Sequence, residues 1–254
     1  MLNEQLPPVF QPRLAKIGFM SNQSEPTGNL TQYTSYTVLR RPVTAPVIDD
    51  IDGANAALAD VLEQLTAAGV TLRGLYDVSG FRHDGDVLVW MHGEDPEVLQ
   101  SAIRRIRMTP FFAQLEMSWN VVGVHRAAEF NERHMPAFMY GKEPKKWVSI
   151  YPFVRSYDWY LLDPADRSEM LREHGLLGSK FTSVLANTVA AFAISDYEWM
   201  LAFESDELYE VVDMMRDLRY TEARRHVRHE VPFYAGRRIE PAELAVVLRH
   251  VSEA

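Results

Sequence analysis

The sequence predicts an α+β protein of two tandem ferredoxin-like repeats, each ordered β-α-β-β-α-β, that pair into a dimeric α+β barrel-type subunit. Strand-like and helix-like segments follow the same order in both halves of the chain. Residues 86–96 align with residues 197–207 at a shift of about 111 positions. Arg107-Met108-Thr109 recurs one residue further on as Arg219-Tyr220-Thr221. A repeat of this length indicates a duplicated domain rather than a solenoid.

The chain is expected to divide into three regions. Residues 1–31 are rich in Pro, Gln, Asn and Ser without any period, which predicts a flexible N-terminal arm. Residues 32–130 are assigned to the N-terminal repeat and residues 131–254 to the C-terminal repeat.

The elements of the first repeat follow from local patterns. Aromatic and β-branched residues alternate at 33–41, which is typical of a strand. Apolar residues recur at helical spacing over 54–68, and Gly69 ends that helix. Asp95 and Pro96 are a capping residue and a first helical residue, so a helix is predicted from there through Arg107. The other predicted strands are 70–78, 86–91 and 114–125.

The second repeat is predicted to use the same order. A long strand over residues 147–162 precedes a helix over 164–180, for which Asp163 is the cap. The remaining predicted elements are strands at 184–194, 197–204 and 231–238 and a helix at 206–218.

Composition narrows the classes of function. The formal net charge of -9 argues against nucleic acid or an anionic membrane as the main partner. The sequence has no cysteine, which excludes disulfides, cysteine zinc sites, iron–sulfur clusters and thiolate-ligated heme. No apolar run approaches the roughly 20 residues of a spanning helix, and the N-terminus lacks a signal-peptide plan. We therefore expect a cytoplasmic protein with no membrane span.

One histidine is placed on the apolar face of a helix. That face of the predicted helix 164–180 collects Met170, Leu171, His174 and Leu177. A lone histidine of this kind is more often a core residue bonded to a carbonyl than a ligand. Gly175 and Gly178, each costing about 1 kcal/mol in a helix, favour a flat molecule close to the backbone. A porphyrin fits that description, and imidazole is a common axial ligand of heme iron.

The long strand carries a second group of candidate residues. Tyr151, Phe153 and Arg155 share one face by the period of two, and Trp159 continues that face if no bulge intervenes. An aromatic strand that covers a core is the alternative interpretation. Arg155 and Tyr151 would need partners inside a core, whereas a ligand with an aromatic plane and anionic edges accommodates both.

Two further positions are candidates. His134 lies in the polar segment 130–138, where it is either a solvated loop residue or a base that takes a proton from a peroxide above a cofactor. Arg224 begins a short basic segment, 224–229, that is either a solvated turn or an anion-binding edge. The sequence has no phosphate-binding loop, dinucleotide fingerprint, nucleophile elbow or His-Glu-x-x-His zinc motif.

At these residues the sequence resembles the chlorite dismutase-like superfamily of heme proteins, and within it the actinobacterial coproheme decarboxylases. The most specific segments are Tyr151-Pro152, 158–162, 173–178 and 231–237. The resemblance implies a homopentamer of duplicated ferredoxin-like subunits that bind the porphyrin in the C-terminal repeat, with no heme in the N-terminal repeat.

The resemblance also implies a reaction. Hydrogen peroxide would drive the oxidative decarboxylation of propionates 2 and 4 of iron-coproporphyrin III (coproheme), giving heme b through a three-propionate intermediate, harderoheme. This is the last step of coproporphyrin-dependent heme biosynthesis. Coproporphyrin ferrochelatase would be the transient partner that hands over the substrate.

Three residues receive chemical roles from the resemblance. His174 is implied to be the proximal iron ligand. Tyr151 is implied to be the redox tyrosine, whose radical abstracts hydrogen from the propionate β-carbon. His134 matches a distal histidine that acts as the base for bound peroxide.

The remaining implied roles concern binding. Trp159 matches a tryptophan near a reactive propionate, Arg155 stands where relatives have a basic residue that anchors a propionate, and Arg224 is a weaker anchoring candidate. Phe153 and Leu177 complete the expected porphyrin-binding set.

Departures from the pattern separate the alternatives. Residues 181–189 lack the distal arginine of chlorite dismutases, Asn187 lies near the position of a glutamine in other decarboxylases, and Ala223 aligns with a glutamate that bonds the proximal histidine. A chlorite dismutase or heme peroxidase is the alternative enzyme, and a heme carrier or sensor is the non-catalytic alternative. A carrier needs His174 but has no need of a redox phenol.

Overall fold

The computed structural model describes residues 31–125 and 135–250. Within those ranges lie nine strands: β1 Gln32–Arg40, β2 Val70–Asp77, β3 Val87–Gly93, β4 Glu116–His125, β5 Trp147–Arg155, β6 Leu185–Ala190, β7 Trp199–Ser205, β8 Val227–His229 and β9 Tyr234–Ile239. The helices there are α1 Ile51–Ala67, α2 Pro96–Ile106, α3 Pro110–Ala113, α4 Pro164–Gly178, α5 Leu208–Asp217 and α6 Leu244–Val247. No helix in the described ranges is both long and apolar enough to cross a membrane.

Each half of the chain forms one ferredoxin-like sheet. The strand order is β4-β1-β3-β2 in the first half and β9-β5-β7-β6 in the second, so both place the fourth strand beside the first and the third beside the second. All of these pairings are antiparallel. The two half-sheets join through β2 with β9 and through one bridge between Val124 and Ala190. The strands therefore close into a ring, which confirms the predicted duplicated α+β barrel.

The period of two along each strand separates an interior from an outer surface. Val148 and Ile150 of β5 and Met200 of β7 belong to a buried cluster inside the ring, together with Tyr36 and Trp90 of the first half. The alternate residues of the same strands face outward to the helices. Tyr151 follows the interior residue Ile150, so its side chain faces outward and belongs to a different cluster.

The outer faces of the two halves differ in how completely they are packed. Among the described residues, twenty buried apolar side chains form the cluster under α1 and α2, whereas five form the cluster under α4 and α5. Helix α1 buries Ala54, Leu58 and Leu65, but Arg167 is the sole buried residue among the fifteen of α4. Helix α4 thus packs on its sheet through fewer buried side chains than α1 does.

The predicted caps form as expected. The Asp163 carboxylate accepts a hydrogen bond from the Ala165 backbone N–H at 2.8 Å, and Pro164 is the first residue of α4. Asp95 does the same for α2, with the Glu97 N–H at 2.8 Å.

Two predicted strands are shorter than expected because local turns end them. The strand predicted at 147–162 ends at Arg155, where the pairing with β8 shifts register. The Trp159 N–H then donates to the Ser156 carbonyl at 3.1 Å and starts a 3-10 turn. The strand predicted at 184–194 ends at Ala190, since the Ser195 N–H donates to the Ala191 carbonyl at 3.0 Å.

Smaller differences occur near the C-terminal end of the described chain. The last strand begins at Tyr234 instead of the predicted residue 231, and the bond between Val231 and Pro232 is cis. The short elements β8, α3 and α6 were not predicted. Residues 1–30 of the predicted arm lie outside the described residues.

A buried ion pair connects the two halves inside the ring. The Arg73 guanidinium of β2 donates to the Glu204 carboxylate of β7 at 2.9 Å, and their side chains are 7% and 0% exposed. The same carboxylate accepts from the Asn187 side chain at 3.0 Å and from the Lys145 N–H at 3.2 Å. Burial raises the pKa of Glu204, and the charge of Arg73 opposes that rise.

We expect Arg73→Met to destabilise the protein by about 3–5 kcal/mol, because it leaves the Glu204 carboxylate buried without a counter-charge. Urea denaturation measures the change in the free energy of unfolding. Adding Glu204→Gln to Arg73→Met is the control and should recover part of the loss. A single variant within 1 kcal/mol of the wild type would contradict the role of this pair.

Candidate active site

The candidate site lies on the outer face of the second half-sheet, beneath α4 and α5. We call its apolar floor the site cluster, which consists of Tyr151, Phe203, Val211, Met214 and Leu218. Leu177 of α4 packs against this cluster from above. The predicted residues Tyr151 and Leu177 are therefore brought together.

Tyr151 is a buried phenol with a weak hydrogen-bond partner. Its side chain is 4% exposed and stacks on Phe233, with ring centroids 4.5 Å apart. The hydroxyl donates to the Met215 sulfur at 3.4 Å, and thioether sulfur is a poor acceptor. Burial, and then the negative charge of Glu230, raise the pKa of Tyr151 above its usual value. The phenol is therefore neutral, and its proton is not held by a strong acceptor.

His174 lies on the half-buried face of α4, as the helical spacing predicted. Its Nδ1 atom is 3.3 Å from the Thr221 hydroxyl oxygen. Burial, and then the positive charge of Arg155, lower the pKa of His174, while Glu173 opposes the shift. A neutral imidazole is the form that binds metals.

The sequence predicted a flat ligand against Gly175 and Gly178, and the space beside these two glycines is nearly free of atoms of the described residues. A Cβ added at Gly175 would meet nothing within 4 Å, and one at Gly178 would meet only a Leu218 methyl group at 4.0 Å. Neither glycine is required by packing against the rest of the described chain.

Arg155 is a largely buried cation that forms no direct ion pair within the described residues, although the negative charge of Glu198 acts on it. Its guanidinium carbon lies 4.2 Å from the ring centroid of Trp159 and 4.9 Å from that of Phe153. The Nε atom is buried without a hydrogen-bond partner, and no carboxylate of residues 31–125 and 135–250 forms an ion pair with the guanidinium. Burial lowers the pKa of Arg155. Unused donors on a desolvated cation favour an anionic ligand at this point.

Trp159 reaches the site by a route other than the predicted one. The strand ends before it, and Trp159 stands on the 3-10 turn Trp159–Leu161 with 1% exposure. The turn folds its indole over Arg155, so the predicted neighbours meet although they do not share a strand face. Phe153 does belong to β5, and it stacks with Trp199 at 6.2 Å.

Arg224 already has a partner within the chain. It donates to the Glu230 carboxylate at 2.7 Å, and Arg219 lies 2.9 Å from the same carboxylate. The charges of all three residues act on the pKa of Tyr151, so this cluster lies beside the phenol. If Arg224 bound an anionic ligand, its guanidinium would have to contact both Glu230 and the ligand, or give up its contact with Glu230.

Other residues from the sequence comparison take different places. His134 lies outside the described residues. Asn187 is fully buried and points into the ring, where it accepts from the Phe138 N–H at 2.9 Å and donates to Glu204. Asn187 is thus a structural residue of the barrel, and its outward neighbour Ala186 packs on the site cluster.

Sequence reasoning missed Thr221 as the neighbour of His174. Ala223, the position compared with a glutamate, is 3% exposed and has no polar side-chain atom. The equivalence of Thr109 and Thr221 in the two repeats was visible in the sequence, but a hydrogen bond across two elements leaves no periodic signal.

Taken together, the side chains fit a flat, apolar molecule with anionic edges and a metal at its centre. The site cluster and Leu177 supply apolar surface, His174 supplies a neutral nitrogen, and Arg155 supplies unused donors for an anion. An iron porphyrin that carries carboxylates has all of these properties.

Comparisons with known proteins agree with this geometry. The sequence profile of the chlorite dismutase family matches residues 52–239. The coproheme decarboxylase of Mycolicibacterium smegmatis is 49% identical over 191 residues, which cover 75% of this chain and 83% of that protein. A Haloarcula marismortui protein that bears the name of a heme-binding protein is 23% identical over 212 residues, covering 74% of this chain and 31% of its own length. A variant of the chlorite dismutase from Candidatus Nitrospira defluvii superposes with a TM-score of 0.75 at 16% identity, covering 86% of this chain and 94% of that one, which shows a shared fold.

We expect Arg155→Gln to raise the pKa of His174 in the ligand-free protein, because the positive charge of Arg155 disfavours the imidazolium. The rise should be partial, since burial is the larger cause. An NMR titration of the imidazole ring protons measures it. Glu173→Gln is the matched control and should shift the pKa in the opposite direction. An unchanged pKa in Arg155→Gln would show that the two side chains are not electrostatic neighbours.

Proposed function

The chain belongs to the chlorite dismutase family, and from that premise we propose that it is a coproheme decarboxylase, an oxidoreductase that converts coproheme to heme b with hydrogen peroxide. The observation that carries the proposal is the Arg155 guanidinium, whose Nε atom has no partner and whose charge acts on the neutral imidazole of His174, on the same strand as the buried phenol of Tyr151. The 49% identity to a protein named coproheme decarboxylase supports the same reaction.

Substrate binding is assigned to the residues that the site brings together. His174 would hold the iron, and Arg155 would bind a propionate through its guanidinium, whose Nε–H has no partner in the described chain. Phe153, Trp159 and Leu177 would pack on the macrocycle and its edge. Arg224 becomes available to a second carboxylate when it exchanges Glu230 for the substrate. Bound coproheme supplies the centre at which peroxide is reduced.

Tyr151 is assigned the transfer of the oxidising equivalent to the propionate. A neutral phenol can lose an electron and a proton and later recover both as a hydrogen atom from the propionate β-carbon. In each turnover one propionate becomes a vinyl group and carbon dioxide, while one peroxide accepts the two electrons and becomes two waters. The hydroxyl of Tyr151 faces the Met215 sulfur instead of a carboxylate, so its bonded neighbour in the described part of the chain competes only weakly for its proton.

His134 is assigned as the base that takes a proton from hydrogen peroxide. The support for this role is the sequence pattern, since a histidine titrates near neutral pH and the segment 130–138 ends in apolar residues. His134→Ala should therefore slow the use of peroxide without removing the iron ligand His174.

The wider assignment follows from the same resemblance. We propose that residues 131–254 hold the coproheme site and residues 32–130 hold none, which the complete apolar packing under α1 and α2 supports. The homopentamer, the transient contact with coproporphyrin ferrochelatase and a cytoplasmic location complete the proposal.

Titrating the protein–coproheme complex with hydrogen peroxide tests the reaction directly. Mass spectrometry of the extracted porphyrin should show loss of two carboxyl groups in sequence, with a three-propionate species between substrate and heme b. A porphyrin of unchanged mass would reject the decarboxylase and favour a carrier or sensor. Oxygen release from chlorite at a high rate would favour the alternative enzyme.

We expect Tyr151→Phe to bind coproheme as the wild type does but to lose decarboxylation by at least about 100-fold, the size of effect that follows removal of an essential proton-transfer group. The substitution keeps the ring that stacks on Phe233. Binding is measured from the absorbance of the complex and turnover from porphyrin mass. Phe203→Leu is the matched control, because it alters the same cluster without touching the phenol. Substantial turnover in Tyr151→Phe would remove the assigned role.

A further inference from the structure

The hydroxyl of Thr221 has two polar neighbours. It donates to the Leu218 carbonyl at 3.0 Å, which closes the turn after α5. Its oxygen also lies 3.3 Å from Nδ1 of His174. Thr221 is 4% exposed, so neither contact is exchanged for bulk water.

The two contacts together decide where the imidazole proton lies. A hydroxyl has one proton, and the Leu218 carbonyl can only accept it. The oxygen is then an acceptor toward His174, so Nδ1 must carry the ring proton. The opposite nitrogen, Nε2, is left with a free lone pair, which is the atom that a metal takes.

The first repeat contains the same threonine without the histidine. The residues of β7 follow those of β3 by 112 positions, one more than the sequence alignment gave, because the interior residues Leu88 and Trp90 correspond to Met200 and Ala202. The same spacing relates Thr221 to Thr109, whose hydroxyl also donates to the carbonyl three residues earlier, that of Ile106, at 2.7 Å. Helix α1 of the first half, the counterpart of α4, carries no histidine.

We propose that Thr221 is a positioning residue that fixes the Nδ1–H tautomer of His174 and thereby presents Nε2 to the iron of the substrate. A turn cap present in both repeats thus has a second role in the half where a histidine faces it. The part that concerns iron rests on the proposed function, whereas the tautomer belongs to the protein by itself.

The type of acceptor has a chemical consequence. A carboxylate in this position would draw the Nδ1 proton and give the imidazole anionic character. A hydroxyl that is already donating is a weaker, neutral acceptor, so the imidazole stays neutral while its ring orientation is fixed. Thr221 therefore orients the ligand and strengthens its donation of charge to iron less than a carboxylate would.

The first test is made on the ligand-free protein. Long-range proton–nitrogen NMR correlations of the His174 ring should show the Nδ1–H tautomer in the wild type and in Thr221→Ser, which keeps the hydroxyl. Thr221→Val should shift the ring toward the Nε2–H tautomer. Retention of the Nδ1–H tautomer in Thr221→Val would overturn the proposal.

Thr109→Val is the matched control, since it removes the same turn cap in the half without the histidine. It should lose a similar amount of stability and leave the His174 tautomer unchanged. An equal tautomer shift in this variant would show that the effect is general loosening of the fold and would overturn the proposal. If Thr221→Val does not fold, Thr221→Ala makes the same comparison with a smaller side chain.

The second test uses the coproheme complex. Thr221→Val should weaken coproheme binding by about tenfold or more, the usual effect of removing a partner of a metal-binding histidine, and Thr221→Ser should restore it. The iron–histidine stretching frequency of the reduced complex should fall in Thr221→Val. If the wild type does not bind or convert coproheme, the proposed function fails, and the tautomer result still stands or falls by itself.

Discussion

The site depends on the pairing of β5 on both of its edges. Tyr151 of β5 lies opposite Leu201 of β7, and Ile150 lies opposite Tyr234 of β9. Because side chains alternate with a period of two, a slip of one residue would turn Tyr151 into the barrel and Ile150 out of it. Two neighbouring strands fix the register, and the apolar interior makes every other register costly. Arg155 lies four residues after Tyr151 on β5, so the phenol and the guanidinium face the same side of the sheet.

Because the fold is duplicated, the first half can provide stability while the second half provides the candidate site. The first half packs twenty buried apolar side chains in the cluster under α1 and α2, and it joins the second half through the strands and through the Arg73–Glu204 pair. The second half inherits that stable frame. Its helix α4 buries a single residue, Arg167, and carries His174 on its half-buried face. Binding sites elsewhere show the same separation between a rigid frame and a less stable element that contacts the ligand.

The sequence predicted most of this arrangement because much of it is periodic. Helical spacing placed His174 beside Leu177, the strand period placed Tyr151 with Arg155, and the internal alignment revealed the duplicated fold. What it could not predict depends on contacts between distant residues. The end of β5 is set by pairing with β8, the inward turn of Asn187 by the closed ring, and the contact of Thr221 with His174 by the packing of α4 on the turn after α5. For Trp159, the predicted proximity to Arg155 is correct, but the predicted position on the strand is wrong.

Arg73 and Arg155 both lie against a tryptophan ring, but only Arg73 forms an ion pair within the described residues. Arg73 lies 5.7 Å from the ring of Trp90, and Arg155 lies 4.2 Å from the ring of Trp159. Arg73 is compensated by a carboxylate of its own chain, so its pair holds the halves together. Arg155 forms no ion pair in the described ranges and its Nε atom has no hydrogen-bond partner, so its desolvation is opposed only through the more distant charge of Glu198 and by Tyr160. The net negative charge of the protein repels an anionic ligand at long range, but dissolved salt screens that repulsion beyond about 10 Å. A desolvated guanidinium acts at contact distance, so an anion that bonds to the Nε atom of Arg155 would offset the cost of its burial.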